Sequence, residues 1–357
     1  MSEFDYGNAR LRAMKSRLLS RRTLEGLAEA GSVPGLLTAL TNTAYSTAVE
    51  AALVRLSGLA CLAEALRSDL AATLGKARSF YAGPAGELAA VVLRRYDLHN
   101  VKTVLRGLAR QVPADEILAS TLPIGELRPA DLAELARAPN VRTAIDLIAT
   151  WRLSLAQPLL ATRATEPGRE GGAEPFELEL ALDRWYFRTA LQAAGDTVLG
   201  QALALEADIG NIMTALRLVG TPDTAGLLRK HLGSEDATAL FIGPGRAPLT
   251  LLAEAAHQET VPRAIQILAP TPYGATLTGA LEAYAAAPRL SVFERALAQR
   301  QLQHAASLIA SDPLGIGVLL GYLALKTNEV ANLRLMAQGL LLAEEPERIL
   351  AELRFVA

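Results

Sequence analysis

Three segments of the chain carry the same arrangement of apolar positions: Val33, Leu36, Leu37 and Leu40; Val141, Ala144, Ile145 and Ile148; Val261, Ala264, Ile265 and Leu268. Steps of three, one and three place each set on one face of a helix, so each segment predicts an amphipathic helix with one buried side. Each follows a short polar break and precedes a threonine: Thr43, Thr150 and Thr271. A longer segment, RRYDLHNVKTVLRGLAR (94–110), sets Leu98, Val101, Val104, Leu105 and Leu108 on one stripe of a helix. Arg95, His99, Lys102, Arg106 and Arg110 line the roughly opposite stripe. Asp97 falls in the middle of the apolar stripe, and Asn100 lies at its edge.

That polar pair recurs. Asp5 and Asn8, Asp97 and Asn100, Asp208 and Asn211, and Glu329 and Asn332 each place an acid three positions before an asparagine, ahead of an apolar helical pattern carrying a cation. The cation follows Asn by two residues at Arg10, Lys102 and Arg334, and by six at Arg106 and Arg217; Met213 stands where Lys102 and Arg334 would place one. His99 has no counterpart. From each marker valine to the next marker asparagine is 67, 70 and 71 residues (33 to 100, 141 to 211, 261 to 332), whereas the stretch before the valine varies, at 25, 41 and 50 (8 to 33, 100 to 141, 211 to 261). The chain thus divides into three units of roughly 110 residues, longer than the two-helix solenoid repeats of about 30 to 50. The units are 1–100, 101–211 with a linker at 162–175, and 212–357 with a C-terminal helix.

A carboxylate inside an apolar stripe is unfavourable unless it is paired or hydrogen-bonded. Asp97, Asn100, Asn8, Asp208, Asn211, Glu329 and Asn332 are therefore expected to be buried structural ties, to a neighbouring helix or, for Asp97, to a cation such as Arg94. A catalytic group has no reason to recur in every unit, and Asp97 and His99, on adjacent faces of one helix, lack the third group of an acid/base relay. The basic stripe is a solvated face or a docking surface for an acidic partner, formed by Arg95, Lys102, Arg106 and Arg110. The exposed turn Gly243-Pro-Gly-Arg-Ala-Pro248 makes Arg246 a further candidate for partner docking.

Composition narrows the fold and the function. The 357 residues are 51% hydrophobic but only 5% aromatic, with Ala and Leu dominant, which predicts an all-α protein. One cysteine, Cys61, excludes an intramolecular disulfide and a cysteine zinc site, and the four histidines stand apart, so neither metal nor cofactor is expected. A net charge of −2 leaves no footprint for nucleic acid. The N-terminal segment lacks the apolar stretch of a signal peptide. The apolar run 313–325, bracketed by Asp312 and Lys326, is shorter than the roughly 20 residues needed to span a bilayer. Gly315, Gly317 and Gly321 miss the dinucleotide spacing, and Gly243-Pro-Gly-Arg246 lacks the Lys-Ser/Thr ending of a phosphate loop.

The segments FDYGNARLR (4–12), DLHNVKTVLR (97–106) and DPLGIGVLLGYLALKTNEVANLRL (312–335) resemble the C subunit of the archaeal and bacterial A/V-type rotary ATPases, a family homologous to the d subunit of the eukaryotic vacuolar enzyme. The similarity runs the length of the chain. The resemblance implies a funnel of three similar helical units around a pseudo-threefold axis and no catalytic activity. It also implies a cytoplasmic position, peripheral to the membrane, between the central-stalk subunits and the proteolipid ring, where torque passes between ATP chemistry and proton or sodium movement. A generic helical scaffold for soluble partners is the alternative, separated by whether the chain co-purifies with proteolipid.

Overall fold

In the computed structural model, which describes residues 3–164 and 174–356, each of the three repeated segments is a helix that buries the face its sequence marks, with Val141 half-buried. Val33–Leu40 buries Val33, Leu36, Leu37 and Leu40, Val141–Thr150 buries Ala144, Ile145 and Ile148, and Val261–Leu268 buries Val261, Ala264, Ile265 and Leu268. Their starts follow from local chemistry. The Ser32 hydroxyl accepts the Gly35 N–H and the Asn140 side chain accepts that of Thr143, each satisfying an otherwise orphaned donor. Pro34 and Pro262 sit in first turns, where a missing N–H is harmless.

Every regular element among the described residues is helical. The long helices are Gly58–Arg78, Gly83–Ala109, Pro175–Ala194, Val198–Leu218, Ser291–Ser311 and Gly317–Leu341. The segment expected as a linker, 162–175, lies mostly outside the described residues; Thr162 belongs to the helix Ala156–Ala164, and Pro175 opens the next.

The chain falls into two compact units: Met1–Asp97 with Leu122–Arg128 and Leu302–Ala357, and Leu98–Thr121 with Pro129–Gln301. In the first, the two ends of the chain meet. Gly317–Leu341 packs against Asp5–Lys15, Val33–Leu40 and Gly58–Arg78, burying Leu11, Leu36, Leu66, Leu319 and Leu333 completely. In the second, Val198–Leu218 packs on Pro175–Ala194 and Leu249–Ala256, and the latter on Val261–Leu268. One core cluster there joins Ile212, Leu216, Leu252, Ile265, Tyr273 and Phe293. Packing of this kind, with apolar side chains interlocked at crystal-like density, makes helical layers stiff.

Candidate functional site

The seven residues expected as ties, Asn8, Asp97, Asn100, Asp208, Asn211, Glu329 and Asn332, are buried, whereas Asp5, the acid of the first pair, is half-buried. In the second unit, Val198–Leu218 carries Asp208 and Asn211 on its inner side. The Asp208 carboxylate accepts the N–H of Arg246 at 2.7 Å and of Ala247 at 3.2 Å, and the Tyr273 hydroxyl donates to it at 2.8 Å. One turn on, Asn211 Oδ1 accepts the Ile242 N–H and Nδ2 donates to the Gly243 carbonyl, both at 2.8 Å. The turn anticipated at Gly243–Pro248 is thus held by its backbone. Gly245 is required there, because a Cβ would lie 1.9 Å from Asp208 Oδ1.

The first unit repeats the device. Asp97 accepts the N–H of Glu126 at 2.8 Å and of Leu127 at 3.0 Å, and a Cβ on Gly125 would lie 2.0 Å from its Oδ2. The Arg78 guanidinium donates to the Gly125 carbonyl. The tie therefore runs to loop backbone, where a neighbouring helix or Arg94 was expected; Arg94 lies 3.7 Å from the Glu126 carboxylate. Burial pushes both carboxyls above the ordinary carboxylate range. For Asp97 the two backbone donors oppose that rise, and for Asp208 the Tyr273 hydroxyl and two backbone donors do so.

Asn332, Glu329 and Asn8 also bind backbone. Asn332 accepts the Arg354 N–H at 3.0 Å and donates to its carbonyl at 2.8 Å. Glu329 accepts the Leu19 N–H and, at 2.8 Å, the Tyr45 hydroxyl. Lys326, 5% exposed, lies 2.9 Å from Glu329 and 2.8 Å from Asp69. Asn8 donates to the carbonyls of Gly315 at 2.9 Å and Pro313 at 3.3 Å and accepts from the Tyr81 hydroxyl at 2.8 Å. Carboxylates and amides so occupied hold chain segments in place; their acceptor sites are used by the protein itself.

The basic stripe is not uniform. Lys102 pairs with Asp183, and Arg106 reaches Glu179 through two guanidinium nitrogens, both partners lying on Pro175–Ala194. Arg95 Nε donates to the Val92 carbonyl at 3.1 Å, and His99 Nε2 lies 3.1 Å from the Ser120 carbonyl oxygen. Arg110 and Arg246 are exposed. Reasoning from sequence missed Tyr45, Tyr81, Tyr273, Lys326, Asp69, Glu179 and Asp183. The threonines that follow the first and third repeated helices were the available signal for two of them: Thr43 and Thr271 accept the N–H of Tyr45 and Tyr273 at 3.2 and 3.3 Å, fixing the turns that aim those phenols inward. The matched i,i+4 spacing of Lys102 and Arg106 with Glu179 and Asp183 was the signal for the ion pairs.

Among the described residues, no group of three or more His, Cys, Asp or Glu side chains is placed to hold a metal ion, and no helix is long and apolar enough to cross a membrane. An open cavity of about 490 Å³ in the second unit, lined by Gly220, Asp223, His257 and Glu259 among others, includes none of the marker residues.

A family model described as ATP synthase (C/AC39) subunit matches residues 7–352. The chain is 28% identical over 342 residues to the C subunit of the V-type ATP synthase of Deinococcus radiodurans, covering 94% of this chain and 87% of that protein. It is 29% identical over 365 residues to the C subunit of the A-type ATP synthase of Halobacterium salinarum, at 99% and 97% coverage. The corresponding A-type C subunit of Methanosarcina acetivorans is 28% identical over 347 residues, at 95% and 89%.

Proposed function

Because the chain belongs to the ATP synthase (C/AC39) subunit family, we propose that it is a non-catalytic rotor adaptor, linking central-stalk subunits to the proteolipid ring and carrying torque between ATP chemistry and ion movement. It works at the cytoplasmic face, peripheral to the membrane through that ring.

The observation that carries this reading is the use of buried polar groups to immobilise loop backbone. A part that transmits torque must not yield, and packed helices supply stiffness along their own lengths. Their connecting loops are the compliant points, with fewer buried contacts. Asp97 and Asp208 each hold such a loop through two consecutive N–H groups, and Asn211, Asn332 and Asn8 add further bonds to the chain.

The division into three repeated units about a pseudo-threefold axis belongs to the same proposal. Its support is the recurrence of marker and clamp, with one amendment to simple thirds of the sequence. The tyrosine after the first repeated helix, Tyr45, binds the last marker acid, Glu329, just as Tyr273 binds Asp208. One repeat is therefore assembled from the beginning and the end of the chain.

Deleting the protein from the rotary complex tests the reading. ATP hydrolysis by the soluble head is expected to persist while ATP-driven ion pumping into vesicles is abolished. Pumping at normal efficiency without it would refute the reading.

A further inference from the structure

The Gly243–Pro248 loop is held by an arrangement that stability alone does not explain. Asp208 is completely buried, and burial pushes its carboxyl up despite three hydrogen-bond donors. A buried acid of this kind is a weak source of folding energy. What it secures is position. Asn211 brackets Ile242 and Gly243, Asp208 grips the N–H groups of Arg246 and Ala247, and Gly245 is pressed against the carboxylate, where a side chain cannot fit. Pro244 and Pro248 restrict φ on either side. Of the turn's exposed residues, Pro244, Arg246 and Pro248, Arg246 carries the charge.

A second guanidinium packs on the phenol ring behind the clamp. Arg300 lies over the Tyr273 ring, 5.4 Å from its centroid, with Nη1 3.3 Å from Thr276 Oγ1. The Tyr273 hydroxyl in turn donates to Asp208 at 2.8 Å. Arg300 thus packs on the phenol whose hydroxyl ties to the carboxylate that clamps the turn.

Resting on the reading of the chain as part of a rotary complex, we propose that the Gly243–Pro248 turn is a preset receptor for a carboxylate on a protein partner, gripped by Arg246. The planar guanidinium fits a carboxylate through two parallel N–H bonds, which a lysine cannot reproduce. Binding to a flexible turn would lose affinity to ordering the backbone; here the backbone is ordered beforehand. Arginines in such settings are frequent energetic anchors of protein interfaces.

The test uses rotary complex stripped of this protein, to which purified wild type, Arg246→Glu, Arg246→Lys and the control Arg263→Glu are added back between 50 and 300 mM NaCl. Arg263 is an exposed residue of the Val261–Leu268 helix that pairs with Glu259. Arg246→Glu is expected to rebind at least about tenfold more weakly and with a shallower salt dependence, Arg246→Lys in between, and the control like wild type. Circular dichroism melts of all four should superimpose, since the altered side chains are exposed. Rebinding of Arg246→Glu within twofold of wild type at every salt concentration overturns the inference while leaving the adaptor reading intact. So does an Arg246→Glu defect confined to binding phosphatidylserine vesicles, which would make the anion a lipid phosphate. If the wild type itself does not rebind, the adaptor reading fails and the inference falls with it.

Discussion

Asp97 and Asp208 each stand three residues before an asparagine on a long helix, and each accepts two consecutive N–H groups from a loop that approaches the carboxylate at a glycine. They differ in a further donor to each clamp. At Asp208 a phenol, Tyr273, supplies a third donor; at Asp97 the support comes from outside, through the Arg78 guanidinium on the Gly125 carbonyl. The displayed side chains have opposite charge, Arg246 in one loop and Glu126 in the other. Backbone N–H groups are present at every non-proline position, so a clamp built on them survives replacement of the loop's side chains. The acid and the glycine are the parts that cannot change, whereas the displayed residue is left free to diverge.

The largest expected effects come from removing the acids. Asp208→Ala strands two backbone donors and a phenol, and should lower the unfolding free energy by about 3 kcal/mol; Asp97→Ala strands two donors and should cost about 2 kcal/mol. Denaturant unfolding measures both, and equal losses would mean that the third donor is energetically irrelevant. Titration adds a check of sign. Burial raises both carboxyls, so the folded state holds their protons more tightly than the unfolded chain does. Their contribution is then fully present below the unfolded carboxylate value and is lost as pH rises through the folded one. Asp208→Asn should flatten that acid-side dependence, and an unchanged pH profile would show that the carboxyl does not titrate in this way.

A smaller change should convert one region into the other. Tyr273→Phe keeps the ring in the core and deletes only the donor to Asp208, leaving a carboxylate with two backbone partners, as at Asp97. A loss of about 1 kcal/mol is expected. Hydrogen exchange at the Arg246 and Ala247 amides should quicken toward the rates at Glu126 and Leu127. Amides that exchange as slowly as in the wild type would show that the phenol plays no part in holding the loop.

The helical class and the buried state of the markers were legible because both are local. Ala- and Leu-rich periodicity specifies helices, and an acid in the centre of an apolar stripe has to find a partner. The partners were not legible. Asp97 binds residues 29 and 30 positions away, and Asp208 binds residues 38 and 39 away, through backbone groups that no residue type announces. For Lys102 and Arg106 a single helix showed one basic side; the acids that meet two of its cations lie 81 and 73 positions further on. Membership of Glu329 and Tyr45 in one tie, 284 positions apart, joins opposite ends of the chain, and sequence thirds conceal it.

The smallest effect expected is at the displayed residue of the Asp97 loop. Glu126→Gln removes an ion pair that spans 3.7 Å to Arg94 with Glu126 45% exposed, so stability should change by less than about 0.5 kcal/mol. The backbone N–H of residue 126 stays in place, and with it the clamp. A second readout is more telling than the stability. The Glu126 charge is one of the influences that raise the Asp97 carboxyl, so its removal should move the Asp97 titration downward, as followed by carbon NMR of that side chain. If the Asp97 titration stays put while the protein loses 1 kcal/mol or more, the side chain of Glu126 helps hold the loop. The claim that clamp and displayed residue are independent would then fail for this loop, and its extension to Arg246 would lose its main support.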